Sequence, residues 1–126
     1  MKRIIVLVAL AALLAGCSNF TENTYRTLRI AEITHNALID SADDAYARGI
    51  ISYGKREQVE DADKVFQASF LAAKEALRAY VVAQEDEGLK LKVIDAIKST
   101  TRDIDNLKKI YTLFTEGVEG VKEWKQ

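Results

Sequence analysis

Few side chains in this sequence are equipped for chemistry, and each lacks a second group to work with. His35 is the single histidine and Cys17 the single cysteine. A nucleophile needs a neighbouring base, and that base needs an orienting group. One imidazole among carboxylates lacks the H-E-x-x-H or C-x-x-C spacing that gathers zinc ligands. His35 falls between Ala31 and Leu38 on the apolar side of a helical pattern. There it reads as a half-buried imidazole satisfying one hydrogen bond, with pH sensing as the alternative role. On that reading His35→Leu is tolerated or stabilising, because an apolar side chain replaces a polar one that is costly to bury.

Acidic residues adjoin at Asp43 and Asp44 and again at Glu60 and Asp61, followed by Asp63. Neighbours on a helix diverge by about 100°, so these pairs do not converge on one substrate and read as solvated faces. The glycines of "GVEG" at 117–120 lack the lysine and the preceding strand of a phosphate loop. No catalytic residue, metal site or cofactor is expected, and the chain does not read as an enzyme.

The elements that carry these residues are helices. The chain has 126 residues, 48% hydrophobic and 29% charged, which suits one small domain and is too charged for a multi-spanning membrane protein. Proline is absent, so only scattered glycines interrupt long stretches. The formal net charge of −1, with signs interspersed, offers no basic stripe, and nucleic acid is not expected as a partner.

From Thr24, the residues of one largely apolar face recur at steps of three and four: Leu28, Ala31, His35, Leu38, Ala42 and Ala45, widened by Ile39 and Tyr46. Thr21 or Asn23 is the expected cap, and Gly49 suits the left-handed position that stops a helix. Ser52, in the turn "GIISYG", suits the cap of a second helix over about 55–84. Its seam holds Val59, Ala62, Phe66, Ser69, Ala73, Ala76, Tyr80 and Ala83, flanked by Val65, Phe70, Ala72, Leu77 and Ala79. "EDEG" at 85–88 breaks that helix, and Asp86 precedes a third. The third pattern is the cleanest: Val93, Ile97, Thr100, Ile104, Leu107, Tyr111, Phe114, Val118 and Val121. A sustained period of 3.5 with short connections predicts an all-α, up-down-up three-helix bundle with coiled-coil-like packing.

The N-terminus has a different character. Lys2 and Arg3 precede an unbroken apolar run at 4–14, closed by "LAGC" with Cys17 last. The run is about half of what a spanning helix needs, so it reads as a signal peptide. "LAGC" resembles the lipobox of bacterial lipoproteins, in which the cysteine is acylated through sulfur and the signal is cut just before it. The resemblance covers about the first twenty residues and implies a signal peptide at 1–16, a lipidated anchor and short tether at 17–23, and a bundle domain at 24–126. It implies a membrane as partner through acyl chains on Cys17. Ser18 after the cysteine, in place of Asp, resembles the enterobacterial sorting pattern for the outer membrane, facing the periplasm. In a host without an outer membrane the anchor lies in the cell membrane. Removing Lys2 and Arg3 leaves 16 bases against 19 acids, a net side-chain charge of −3 that is expected to add no electrostatic attraction to a membrane.

The function expected from these features is that of a helical interaction or structural module, with an envelope protein or cell-wall polymer as partner. The alternative is a small-ligand carrier or inhibitor with a cavity between helices walled by Phe66, Phe70, Tyr80 and Tyr111. Lipoproteins that staple the cell wall end in lysine, whereas Lys125 is penultimate in "EWKQ". Phage lysis lipoproteins are also short, which leaves a prophage origin open, but they are typically rich in proline. A third helix of about 36 residues would outrun its neighbours. Val118, Val121 and Trp124 would then meet Ile50, Ile51 and Tyr53 at the membrane-distal turn, either as a closed lid or as an exposed docking patch.

Overall fold

A computed structural model describes residues 19–83 and 86–116. They form three helices: α1 (Phe20–Ala47), α2 (Tyr53–Val82) and α3 (Glu87–Thr115). All three pack on one another, with α2 and α3 in the closest contact. The order is up-down-up. Phe20 at the start of α1 meets Tyr80 at the end of α2, with ring centroids 5.1 Å apart and edge to face. At the opposite end the Lys55 ammonium, near the start of α2, lies 5.4 Å from the ring of Phe114 at the end of α3.

Local chemistry sets most of the boundaries. Gly49 has φ +72°, and its N–H donates to the Tyr46 carbonyl while that of Ile50 donates to Ala45. These paired bonds satisfy carbonyls left open at a helix end and need a left-handed residue, which glycine adopts without steric cost. Ser52 caps α2 by accepting from the Lys55 N–H at 3.3 Å, and Asp86 caps α3 by accepting from that of Leu89 at 3.1 Å.

Two boundaries correct the sequence reading. Helix α1 starts at Phe20 and not near Thr24, so Thr21 and Asn23 lie inside it and do not cap it. Phe20 is 1% exposed and Thr24 fully buried, two turns and one turn before Leu28 on the same stripe. Burial of the phenylalanine ring winds residues 20–23, expected in the tether, into the first turn of the bundle. Helix α3 ends at Thr115, with Glu116 in an extended conformation (ψ 129°). At 29 residues it matches the 28 of α1 and the 30 of α2 and does not outrun them.

The core has two apolar clusters. The one at the α1 start gathers Phe20, Leu28, Leu77, Tyr80, Val93 and Ile97, and the distal one Leu38, Val59, Phe66, Ile104, Leu107 and Tyr111. Phe70 packs against both. Between them the seam turns polar, with Ser69 on α2 between Phe66 and Ala73, and Thr100 on α3 between Ile97 and Ile104. The expected stripe widths were too broad in places: Tyr46, Val65, Ala72 and Ala79 face solvent.

Candidate functional site

A few polar groups of the bundle meet across helix interfaces. His35 on α1 reaches Asp63 on α2 through Nε2, and its Nδ1 lies 3.1 Å from the Asn36 side-chain oxygen. The imidazole is stacked on Phe66 with centroids 5.0 Å apart, and the Asp63 carboxylate also accepts from Gln67 at 2.8 Å. The histidine is half-buried as its position in the stripe implied, but it works as a link between helices.

A second polar link crosses from α2 to α3. The Ser69 hydroxyl donates to Asp103, which is 7% exposed and also accepts from Arg102 Nε at 3.2 Å. Thr100 Oγ1 lies 3.1 Å from the Ser69 carbonyl and 2.9 Å from that of Ala96. Tyr111 is hydrogen-bonded to Ser41 across α3 and α1, and burial pushes its phenol above the ordinary tyrosine range, with the Asp44 charge adding to the rise. Among the described residues no three of His, Cys, Asp and Glu are grouped to hold a metal ion.

The distal turn carries a pair of exposed tyrosines. Tyr53 is 60% exposed and its ring centroid lies 6.3 Å from that of Tyr46. Arg56 stands 4.9 Å above the Tyr46 ring and holds Asp43 at 3.2 Å and Glu60 at 3.4 Å. The hydrogen bond to Asp43 raises the guanidinium pKa further, and the one to Glu57 raises that of the Tyr53 phenol. Of the residues expected to form a patch here, Tyr53 is exposed, Ile50 half-buried and Ile51 buried. Val118, Val121 and Trp124 lie outside the described residues, as does Cys17.

Of the aromatics expected to wall a cavity, Tyr80 and Tyr111 are buried in the two core clusters. Phe66 and Phe70 border shallow clefts on the α1–α2 side. The largest of these clefts is a groove of about 1130 Å³ between the first half of α1 and the second half of α2. Tyr25, Ile33, Val81 and Val82 line it, all exposed. None was singled out in the sequence, although apolar residues lying off the core stripe at helical spacing are the signal for a second face. Among the described residues no helix is long and apolar enough to cross a membrane.

Compared with known proteins, the chain matches no family model, no curated protein and no solved structure.

Proposed function

We propose that this chain is a lipid-anchored envelope protein, held through acyl chains on Cys17, whose bundle acts as an interaction module and not as an enzyme. Its partner in this reading is another envelope protein or a cell-wall polymer. By resemblance of the lipobox and of Ser18, the anchor lies in the outer membrane and the bundle faces the periplasm, or in the cell membrane where no outer membrane exists.

One observation carries the interaction reading. His35, Ser69, Asp103 and Tyr111 spend their hydrogen bonds joining helices, while large apolar and aromatic side chains such as Tyr25 and Tyr53 stand exposed. Groups that hold a scaffold rigid, beside an exposed aromatic surface, suit binding better than turnover. The early start of α1 supports a close tether, because only two residues separate Cys17 from Phe20. Extended, that connection spans at most about 10 Å. Tyr53, beside Ile50 at the distal turn, is the proposed partner contact, joined by Val118, Val121 and Trp124, with Ile51 as buried support.

Metabolic labelling with a fatty acid tests the anchor. Wild-type protein should take up label in a bacterium with lipoprotein processing, and Cys17→Ala should abolish uptake and leave an uncleaved precursor or a soluble product. Absence of label on the wild type sinks the anchor. Trp124 is the only tryptophan, so its emission reports on the distal patch. A solvent-exposed maximum that moves to the blue with envelope extract supports docking. A buried maximum without extract, with marked destabilisation by Trp124→Ala, replaces it by a lid.

A further inference from the structure

We propose that the groove between the first half of α1 and the second half of α2 is a docking face for an anionic phospholipid surface, so that the tethered bundle leans onto its own bilayer. This rests on the lipid-anchor reading above and adds a face and a lipid charge to it.

The groove has an apolar floor that includes Leu28, Phe70 and Leu77, and no residue of α3 lines it. On its flanks Tyr25, Ile33, Val81 and Val82 are 59%, 49%, 45% and 77% exposed. Interleaved with them are four cations, Arg26, Arg29, Lys74 and Arg78, against two carboxylates, Glu22 and Glu32. The chain's formal net charge is −1, so this excess is local. Arg26 is engaged by Glu22 at 2.7 Å, and Lys74 stands over the Phe70 ring at 5.4 Å. Among the described residues Arg29 and Arg78 have no ion-pair partner. Two unpaired guanidiniums are donors of the geometry that phosphate oxygens accept in pairs. An apolar strip bordered by arginine and lysine, with a tyrosine at its edge, is the composition that settles into a headgroup layer.

Position selects this occupant over others. Thr21 lines the groove and stands four positions after Cys17, a reach of at most about 14 Å. An acylated Cys17 therefore delivers this end of the molecule to headgroups at high effective concentration. A second copy fits the charges poorly. Its complementary acids, Asp43 and Glu60, border the cleft at the distal half of the same face, so pairing requires an antiparallel arrangement. That would hold two anchors about 40 Å apart, the length of α1, and away from a common bilayer.

The test uses the full chain purified from membranes, with Ile33→Cys or Val82→Cys labelled by an environment-sensitive fluorophore. Both positions are exposed, so neither change opens the core. With Cys17 acylated, the wild type takes up no dye and the new thiol is the only site of labelling. The protein is reconstituted in phosphatidylcholine vesicles with or without phosphatidylglycerol. Both probes should shift to the blue in the anionic vesicles only, and high salt should reverse the shift. A probe at Val65→Cys, exposed on the distal half of α2, should not move. Arg29→Gln and Arg78→Gln should each lower the docked-to-free ratio about fivefold, the worth of one cation at an anionic surface. Flotation with both vesicle types without any probe shift overturns the docking face and leaves the anchor standing. Dye uptake by the wild type with no flotation overturns the anchor, and the probe shift on adding anionic vesicles, read in a Cys17→Ser background so that the new thiol is again the single label site, then decides the face by itself. Probes already blue-shifted in detergent, on a protein that runs as a dimer, assign the groove to a second copy and overturn the proposal.

Discussion

His35 and Asp63 are 28 positions apart in the chain and joined in space, Nε2 to Oδ1, with side chains 15% and 16% exposed. The contact ties α1 to α2 halfway along the bundle and reverses an expectation drawn from position alone. Replacing the imidazole by an apolar side chain removes one of the two partners of a carboxylate that is itself largely buried, leaving it Gln67 alone. His35→Leu should therefore destabilise by about 1–3 kcal/mol. Urea unfolding of His35→Leu, Asp63→Leu and the double variant checks it. The double variant should recover much of the loss, giving a coupling energy above about 0.5 kcal/mol. Additive losses would show that the two groups do not depend on each other.

Ser69 is only half-buried, yet it donates to the buried carboxylate of Asp103. Ser69→Ala should cost about 1–3 kcal/mol, more than a half-exposed serine normally would, because the carboxylate keeps its burial and loses a donor. Asp103→Ala in that background should cost less than in the wild type. Chemical denaturation of the three variants measures the difference.

Phe20 is expected to behave as a core residue despite its place near the N-terminus. Phe20→Ala removes a ring that is 1% exposed and packed edge to face on Tyr80, at a cost of about 3–5 kcal/mol. Amide hydrogen exchange should show the first two turns of α1 opening before the rest. A loss within about 0.5 kcal/mol, as at an ordinary surface position, would return the segment to a tether.

Tyr111 links stability to alkaline pH. Its phenol is buried, and that burial raises its pKa above the ordinary value of 10.0. Below that value both folded and unfolded chains keep the proton and stability is unaffected. Above it the unfolded chain releases the proton first, so stability falls as pH climbs from about 10 through the folded pKa. Tyr111→Phe should flatten that decline while losing the Ser41 hydrogen bond, about 0.5–1.5 kcal/mol at neutral pH. Thermal melts between pH 8 and pH 11 compare the two slopes.

Replacing the caps should have modest and separable effects. Asp86→Ala should cost about 1 kcal/mol by leaving the Leu89 N–H without its acceptor. Gly49→Ala should cost a similar amount through its φ of +72° alone, since nothing lies within 4 Å of an added Cβ. Helical content by circular dichroism should stay near wild type in both.

What the chain reveals by itself is whatever depends on neighbours a few residues away. Gly49, Ser52 and Asp86 mark the ends of helices because their conformations and hydrogen bonds close within three to five positions. The seam from Val93 to Tyr111 is legible because one helix face repeats its burial every 3.5 residues. Three helices with short turns between them then leave an up-down-up bundle as the natural packing. The tertiary structure decided what depends on residues from different helices. Phe20 joined α1 because Tyr80 was there to cover it, which the polar residues from Thr21 to Asn23 conceal. His35 found Asp63, and Ser69 found Asp103, across 28 and 34 positions, distances over which local periodicity carries no information. The groove edged by Tyr25, Ile33, Val81 and Val82 likewise exists only because α1 and α2 lie antiparallel, with α3 covering the opposite side of each. A helical stripe says which side of a helix seeks burial, and only the packed neighbours determine which apolar side chains are left facing water.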